Sequence, residues 1–482
     1  MAGRTVRMKF PSSEPQDMLT QHLLDHPHAL GFVGVGIGKT SATLAALSRL
    51  LKSGESKGAL VIAPMRVANL TWPMEVQRWD DFNWMRVANL RTEAGKRAFL
   101  QGKAHIYVVN FESIPILIKL LKGRKDVGMD APYDVIVVDE IGKIRNPSSK
   151  RVNAYRREMP HEKHARIWGL TGTPAPNTLM DLFAQVRFVD GGKRLGRAFD
   201  LFKQTYFRPT GYQGYQWKEL PGSQEKIENR IADITLTLRS KDWLNLPETV
   251  VEDVEVHLPS DLANRYREFE RELVLEIRKD KDITAANAAA LVSKLLQFTS
   301  GSVYDEEGKY HELHDLKLKA LERIAKEADS PLLVAVAFKH ELARIRERFP
   351  QAKFFQDAKG LKAQKDMLEE WNAGRIPMLV AHPKSMSHGL NLQAGGNNLV
   401  WMSLTYSRDD YEQTIGRLER RGQDAVVKVW RIMCPDTVDY AVATVVEEKR
   451  ATEDRLLTAL QLLESCRDSG RKIEFVEEES WI

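Results

Sequence analysis

The sequence predicts an α/β protein of two lobes, each a parallel sheet flanked by helices. Three observations predict it. Short apolar runs rich in β-branched residues recur from Ala29 to about Phe188, and longer mixed segments separate them. A second alternating block of the same kind starts at Leu332. Strands buried on both faces read as such continuous runs, and the helices between them cover the faces.

In the first block the runs are Leu30–Val33, Ala59–Ala63, Ile106–Val109, Val135–Val138 and Ile167–Leu170, most of them ending in small or polar residues. A doubly wound layer of this kind holds its ligands at the carboxyl ends of its strands. Residues 1–195 are therefore assigned to lobe one. Residues 196–250 break the pattern and read as an aromatic and basic insertion and connector, with FKQTYFRPTGYQGYQWKEL at 202–220. Aromatics interleaved with Lys and Arg can stack on bases; the favoured alternative packs Tyr206, Phe207, Tyr212 and Trp217 into a small protrusion. Residues 251–330 have helical periodicity, as in ANAAALVSKLLQF, and read as a helical insertion at the start of lobe two. Lobe two, 331–482, has the runs LLVAVAF, KFFQ, MLVAH, LVWMSL and VVKVWRIM and a short acidic tail at Glu477-Glu478-Glu479.

A chain of 482 residues exceeds one ordinary core, in agreement with two lobes. The formal charge of +5, from 71 Lys and Arg against 66 Asp and Glu, is compatible with nucleic acid, although the charges are mixed along the chain. No apolar run is long enough to span a bilayer, and MAGRTVRMKF lacks a signal-peptide core. Cys434 and Cys466, the two cysteines, provide neither a disulfide framework nor a metal cluster, so a cytoplasmic protein is expected.

Three motifs carry chemistry. LGFVGVGIGKTSATL at 30–44 is a strand, a glycine loop and a helix start. A helix N-terminus with free N–H groups and partial positive charge binds phosphates. Gly36 and Gly38 would let the backbone approach them, Lys39 would neutralise the terminal phosphates, and Thr40 would hold Mg. Taken alone, a glycine turn with an exposed lysine fits as well. DVIVVDEIGKIRN at 134–146 ends a buried strand in Asp139-Glu140. In a nucleotide site Asp139 meets the Mg shell and Glu140 orients or deprotonates the attacking water; a solvated acidic strand end is the alternative. QTIGRLERRGQ at 413–423 places Gln413, Arg417 and Arg420 at helical spacing on one face, where two arginines could clamp a γ-phosphate. By itself it is only a basic helix.

With these three in order, the chain resembles helicase superfamily two in its Swi/Snf branch of ATP-dependent DNA translocases. That branch writes its loop D-E-M-G-L-G-K-T against VGVGIGKT here, so the glycine missing at Val33 is no departure. It writes the acidic strand D-E-A-H-R-I-K-N against DEIGKIRN at 139–146. PMRVANLTWPMEVQRW (64–79), with Trp72, Glu75 and Trp79, VNFES (109–113), LTGTPAPNTLMDLFAQVRFV (170–189) and SHGLNLQAGG (387–396) follow in the family's order. The resemblance spans about Gln16 to Val446 and is closest to compact phage and bacterial forms.

The resemblance implies two RecA-like lobes, ATP and Mg as cofactors, and catalysis by Lys39, Asp139, Glu140, Arg417 and Arg420. Gln16 stands where an adenine-reading glutamine is expected, with Gln21 as its rival. Ile37, Gly389 and Gln413 complete the nucleotide-binding set, and Thr40 and Asp139 the metal ligands. The implied DNA path runs over Arg66, Asn110, Thr171 and Asn177, then His388, Gly389 and Asn391. Two departures stand out: Gly142 replaces a histidine that couples ATP chemistry to Thr171-Gly172-Thr173, and Val33-Gly34 replace an acidic pair. The expected activity is ATP-driven movement on duplex or branched DNA by a monomer, remodelling junctions or displacing proteins, with replication or recombination proteins as expected partners. A strand-separating or branch-migrating helicase is the alternative, and a DNA-binding module with impaired ATPase a third reading.

Overall fold

The structure is a computed structural model. It describes residues 9–158, 165–175, 178–210, 216–244, 246–279, 285–386 and 390–447. The chain divides between residues 245 and 246 into two units. No described helix is long and apolar enough to cross a membrane.

The first unit is built on strands β1 (His28–Val33), β2 (Ala59–Ala63), β3 (Val87–Asn89), β4 (Ile106–Asn110), β5 (Val135–Asp139) and β6 (Arg166–Thr171). After them come a hairpin, β7 (Phe207–Thr210) with β8 (Gln216–Glu219), and the strand β9 (Thr235–Leu238). All but the hairpin form one parallel sheet in the order β3-β4-β2-β5-β6-β1-β9. Alternate residues of the central strands enter two separate cores. Leu60, Ile62, Ile136 and Val138 face one cluster; Val61, Ala63, Val135 and Val137 face the other. Both faces are dry, which is why these strands are continuous apolar runs without polar alternation. Helices α1 (Glu14–Asp25), α2 (Lys39–Ser53) and α3 (Trp72–Arg78) lie on the second of these faces, contributing Leu19, Leu44, Leu47, Trp72 and Val76 to its core.

The stretch expected to be a connector is part of this unit. β9 pairs with β1 along Leu30–Val33 and extends the sheet. Its four residues, TLTL, form an edge strand too short and too polar to stand out as a run. Tyr206 and Phe207 are buried in the first core and Trp217 packs against it, as the packing reading required; Tyr212 lies outside the described residues.

The second unit has strands β10 (Val250–Glu255), β11 (Ser302–Tyr304), β12 (Tyr310–Glu312), β13 (Leu332–Ala335), β14 (Lys353–Phe354), β15 (Met378–Ala381), β16 (Asn398–Trp401) and β17 (Lys428–Met433). Its parallel sheet runs β10-β17-β16-β13-β15-β14, and β11 and β12 form a separate hairpin. Residues 251–330 are thus not purely a helical insertion. β10 supplies an edge of the sheet, where Arg431 of β17 grips both carboxylate oxygens of Asp253. Helices Ser260–Lys279, Ala285–Thr299 and Leu316–Glu327 follow it.

Candidate functional site

β5, β6 and β1 are neighbours in the first sheet, so their carboxyl ends lie side by side. Each leads into one of the predicted motifs. After β1 the chain turns through Gly34–Gly38 into α2. Gly36 and Gly38 have φ of 89° and 97°, in the left-handed region where a side chain is strained. Ile37 buries its side chain in the core. Lys39 and Thr40 begin α2, and the Lys39 ammonium donates to the Val33 carbonyl at 2.8 Å.

Gln16 belongs to this loop. Its side-chain nitrogen lies so close to Gly38 that a Cβ there would meet it at 2.2 Å. The oxygen accepts from Ser13 N and Ser13 Oγ, both at 3.0 Å, which fixes the side chain. The rival, Gln21, is exposed and pairs with Asp25 at 2.8 Å.

Gly34 has a different cause. A Cβ there would collide with Ser240 Oγ at 2.2 Å and Ser240 N at 2.7 Å. Ser240 Oγ donates to the Val35 carbonyl at 2.7 Å, and Gly34 N to Leu238 O at 2.8 Å. The space an acidic side chain would need is occupied by the segment following β9.

At the end of β5 the Asp139 carboxylate is buried and accepts from Trp72 Nε1 at 3.0 Å. Burial, reinforced by Glu140, pushes its pKa up to about 6, against the opposing Trp72 bond and Lys39 charge. Glu140 has φ 63°, ψ 57°, a left-handed conformation rare outside glycine and characteristic of functional turns. Its Oε2 accepts from the Thr171 hydroxyl at 3.2 Å. Thr171 Oγ1 also meets the Thr173 backbone, accepting from its N–H at 3.2 Å. A Cβ on Gly142 would lie 3.1 Å from Thr173 O and 3.4 Å from Thr171 Oγ1. At this position Thr171 contacts Glu140 directly, with Gly142 beside it.

No group of three or more His, Cys, Asp or Glu among the described residues is arranged to hold a metal. Magnesium accompanying a nucleotide needs few protein ligands, because phosphates and water supply the rest. Asp139, a buried carboxylate burdened by Glu140, and the Thr40 hydroxyl in the adjoining helix turn are hard oxygen donors of the required kind. The residues fit the ion.

The predicted DNA-path residues of this unit divide. Arg66 is half-buried directly after β2. Asn110 is only 1 % exposed, with its amide donating to Glu112 at 2.6 Å, and Thr171 is buried on Glu140. These two side chains therefore support the turns at the strand ends and present no surface. Asn177 lies outside the described residues.

In the second unit the helix Arg408–Ile415 stops before the arginines, so Gln413, Arg417 and Arg420 do not share one helical face. The helix caps itself at this point. Arg417 Nε donates to Gln413 O at 3.0 Å and Arg420 Nε to Gly416 O at 2.7 Å, each reaching the carbonyl four residues back. Arg417 is 4 % exposed and also reaches Leu390 O at 3.3 Å. Arg420 bonds the side chain of Asn391, joining an expected catalytic residue to an expected DNA contact. Gln413 is buried, with its amide on Asp409 at 2.7 Å. His388 and Gly389 lie outside the described residues.

Sequence reasoning assigned no role to Trp72, Ser41, Glu75 or Ser240. A signal existed for two of them: Trp72, Glu75 and Trp79 recur at the spacing of one helix face.

Residues 34–301 match the SNF2-related domain family. Protein p41 of Acyrthosiphon pisum secondary endosymbiont phage 1 is 36% identical over 463 residues, covering 92% of this chain and 98% of that protein. An uncharacterized ATP-dependent helicase of Mycoplasma pneumoniae is 23% identical over 88% of this chain, which spans 39% of its length. The SWI2/SNF2 ATPase core of Sulfolobus solfataricus, solved with double-stranded DNA, aligns over 99% of each chain at 19% identity and a TM-score of 0.44.

Proposed function

The chain belongs to the SNF2-related family and is an ATP hydrolase, and from that premise we propose that it is a monomeric translocase that moves on duplex or branched DNA. The observation that carries the nucleotide site is the convergence, at three adjacent strand ends, of the Gly36–Thr40 loop, the Asp139-Glu140 pair and Thr171. The backbone of Gly36–Gly38 would wrap the phosphates and Lys39 would neutralise their charge. Gln16, held against Gly38, would contact the base. Asp139 and Thr40 would hold magnesium, which supplies neutralisation of the phosphate oxygens when bound. Glu140 would orient the attacking water and take its proton, with its carboxylate oriented by the Thr171 hydroxyl.

Arg417 and Arg420 are proposed to stabilise the γ-phosphate charge that develops during transfer. For both, that role requires release from the helix carbonyls they now cap. Arg66, Asn391, His388 and Gly389 are the proposed contacts to DNA phosphates, which would give binding without base readout. Remodelling of junctions, displacement of bound proteins and a place in replication or recombination are the finer parts of the reading.

The test compares ATPase without DNA, with single strands and with duplex, followed by triplex displacement, fork unwinding and junction migration. Duplex-stimulated hydrolysis with triplex displacement and no unwinding is expected. Fork unwinding would favour the strand-separating alternative. No hydrolysis under any condition would refute both.

A further inference from the structure

Helix α3 touches both halves of the nucleotide site. It enters through five residues of π-helix, Val67–Thr71, an uncommon geometry that inserts an extra residue per turn and concentrates at functional sites. Trp72, the first residue after it, is fully buried, and its indole N–H reaches Asp139 Oδ2 at 3.0 Å. One turn later Glu75 Oε2 accepts from Ser41 Oγ at 2.9 Å and from Trp79 Nε1 at 2.8 Å. Ser41 follows Thr40 in the first turn of α2. One short helix thus holds the acidic strand tip with one side chain and the start of the phosphate-loop helix with another.

A buried indole has one donor and requires one acceptor. Placed in an apolar core beside a carboxylate, it satisfies itself and fixes the rotamer of the acid. A phenylalanine would fill most of the same volume without that bond.

We propose that Trp72 is a positioning residue for ATP hydrolysis, holding Asp139 in the orientation from which it binds magnesium, while Glu75 keeps Lys39 and Thr40 in register with it. The proposal rests on the reading of Asp139 as a magnesium ligand. Hydrogen-bond partners of metal ligands commonly govern 10- to 100-fold in metal affinity. Trp72 acts through geometry alone, since the indole does not titrate and its one donor is taken up by Asp139.

The test is binding of a fluorescent ATP analogue to the full chain, titrated with magnesium and repeated in EDTA. For Trp72→Phe the affinity in EDTA is expected to match wild type, while the magnesium midpoint rises about 10-fold. Ser41→Ala, which loosens the α2 side that carries Lys39 and Thr40, is expected to lower the affinity in EDTA as well, which Trp72→Phe does not. Should Trp72→Phe not fold, a benzothienylalanine at position 72, isosteric but with sulfur for N–H, is read in the same way. An unchanged midpoint, or an equal loss of affinity with and without magnesium, would overturn the role of Trp72. A wild-type affinity indifferent to magnesium would overturn the reading of Asp139 and the proposal with it, and absence of wild-type binding would remove the nucleotide site itself.

Discussion

Lowering the pH from 7 to 5 is expected to destabilise the second unit through two imidazoles, one buried and one half-buried. His340 is 0 % exposed, with Nε2 3.3 Å from Ser300 Oγ and its ring stacked on Phe338. His314 Nε2 lies 3.0 Å from Phe298 O. The Nδ1 of each is buried and has no hydrogen-bond partner among the described residues, so a second ring proton would find no acceptor. Burial is the main cause that lowers both rings to about 4; the Arg344 charge adds to it, and at His314 the Phe298 carbonyl opposes it. The unfolded chain titrates near 6.5. Between those values the unfolded state binds protons that the folded state refuses, so stability falls as pH falls and levels off below the folded pKa. At pH 5 the difference amounts to about 2 kcal/mol for each ring, or about 4 kcal/mol for the pair. For a unit of this size that is on the order of 10 °C in Tm. Thermal unfolding at pH 5, 6, 7 and 8 reads it, with the His314→Gln/His340→Gln double variant as reference. A wild-type loss between pH 7 and 5 no larger than that of the double variant would refute the reasoning.

Lys39→Ala and Glu140→Gln are each expected to abolish turnover, with Glu140→Gln retaining ATP binding; steady-state ATPase and nucleotide titration check this, and normal turnover in either would undo the site assignment. Gly38→Ala forces a side chain into φ 97° and towards Gln16. It is expected to cost about 1–2 kcal/mol and to weaken nucleotide binding, and a variant with native affinity and melting temperature would contradict that. Gly142→His would push on Thr173 O and Thr171 Oγ1, displacing the bond to Glu140. A fall in kcat with little change in KM for ATP is expected, and a fully active variant would show that this contact does not govern hydrolysis.

Much of the fold is written locally. Ala59–Ala63 is a strand over the same residues that the apolar run marks, and Val135–Val138 extends only to Asp139. Burial on both faces leaves no polar position to obscure these runs. β10, with VVEDVE largely exposed at a sheet edge, has no such signature, and β9 is four residues long. The chemistry divides the same way. Loop and acidic pair are contiguous stretches, legible from spacing. Trp72 meets Asp139 across 67 residues and Ser240 meets Val35 across 205, so neither contact exists until the sheet forms. Asn110 and Thr171 show the converse: their motifs are legible, but the burial of their side chains depends on neighbours that the sequence does not name.

The clasp between Ser240 and the Gly34–Gly38 loop has a mechanical consequence. The chain leaves the first unit a few residues beyond Ser240, at 245–246. A pull on the chain at that exit reaches the loop backbone through the Ser240–Val35 and Gly34–Leu238 hydrogen bonds once the packing of Trp243 and Leu244 on the core has yielded. The loop sits where load enters the unit. Traction on the exit is thus transmitted to the loop backbone, and a ligand that stiffens the loop is expected to raise the force at which β9 peels from β1.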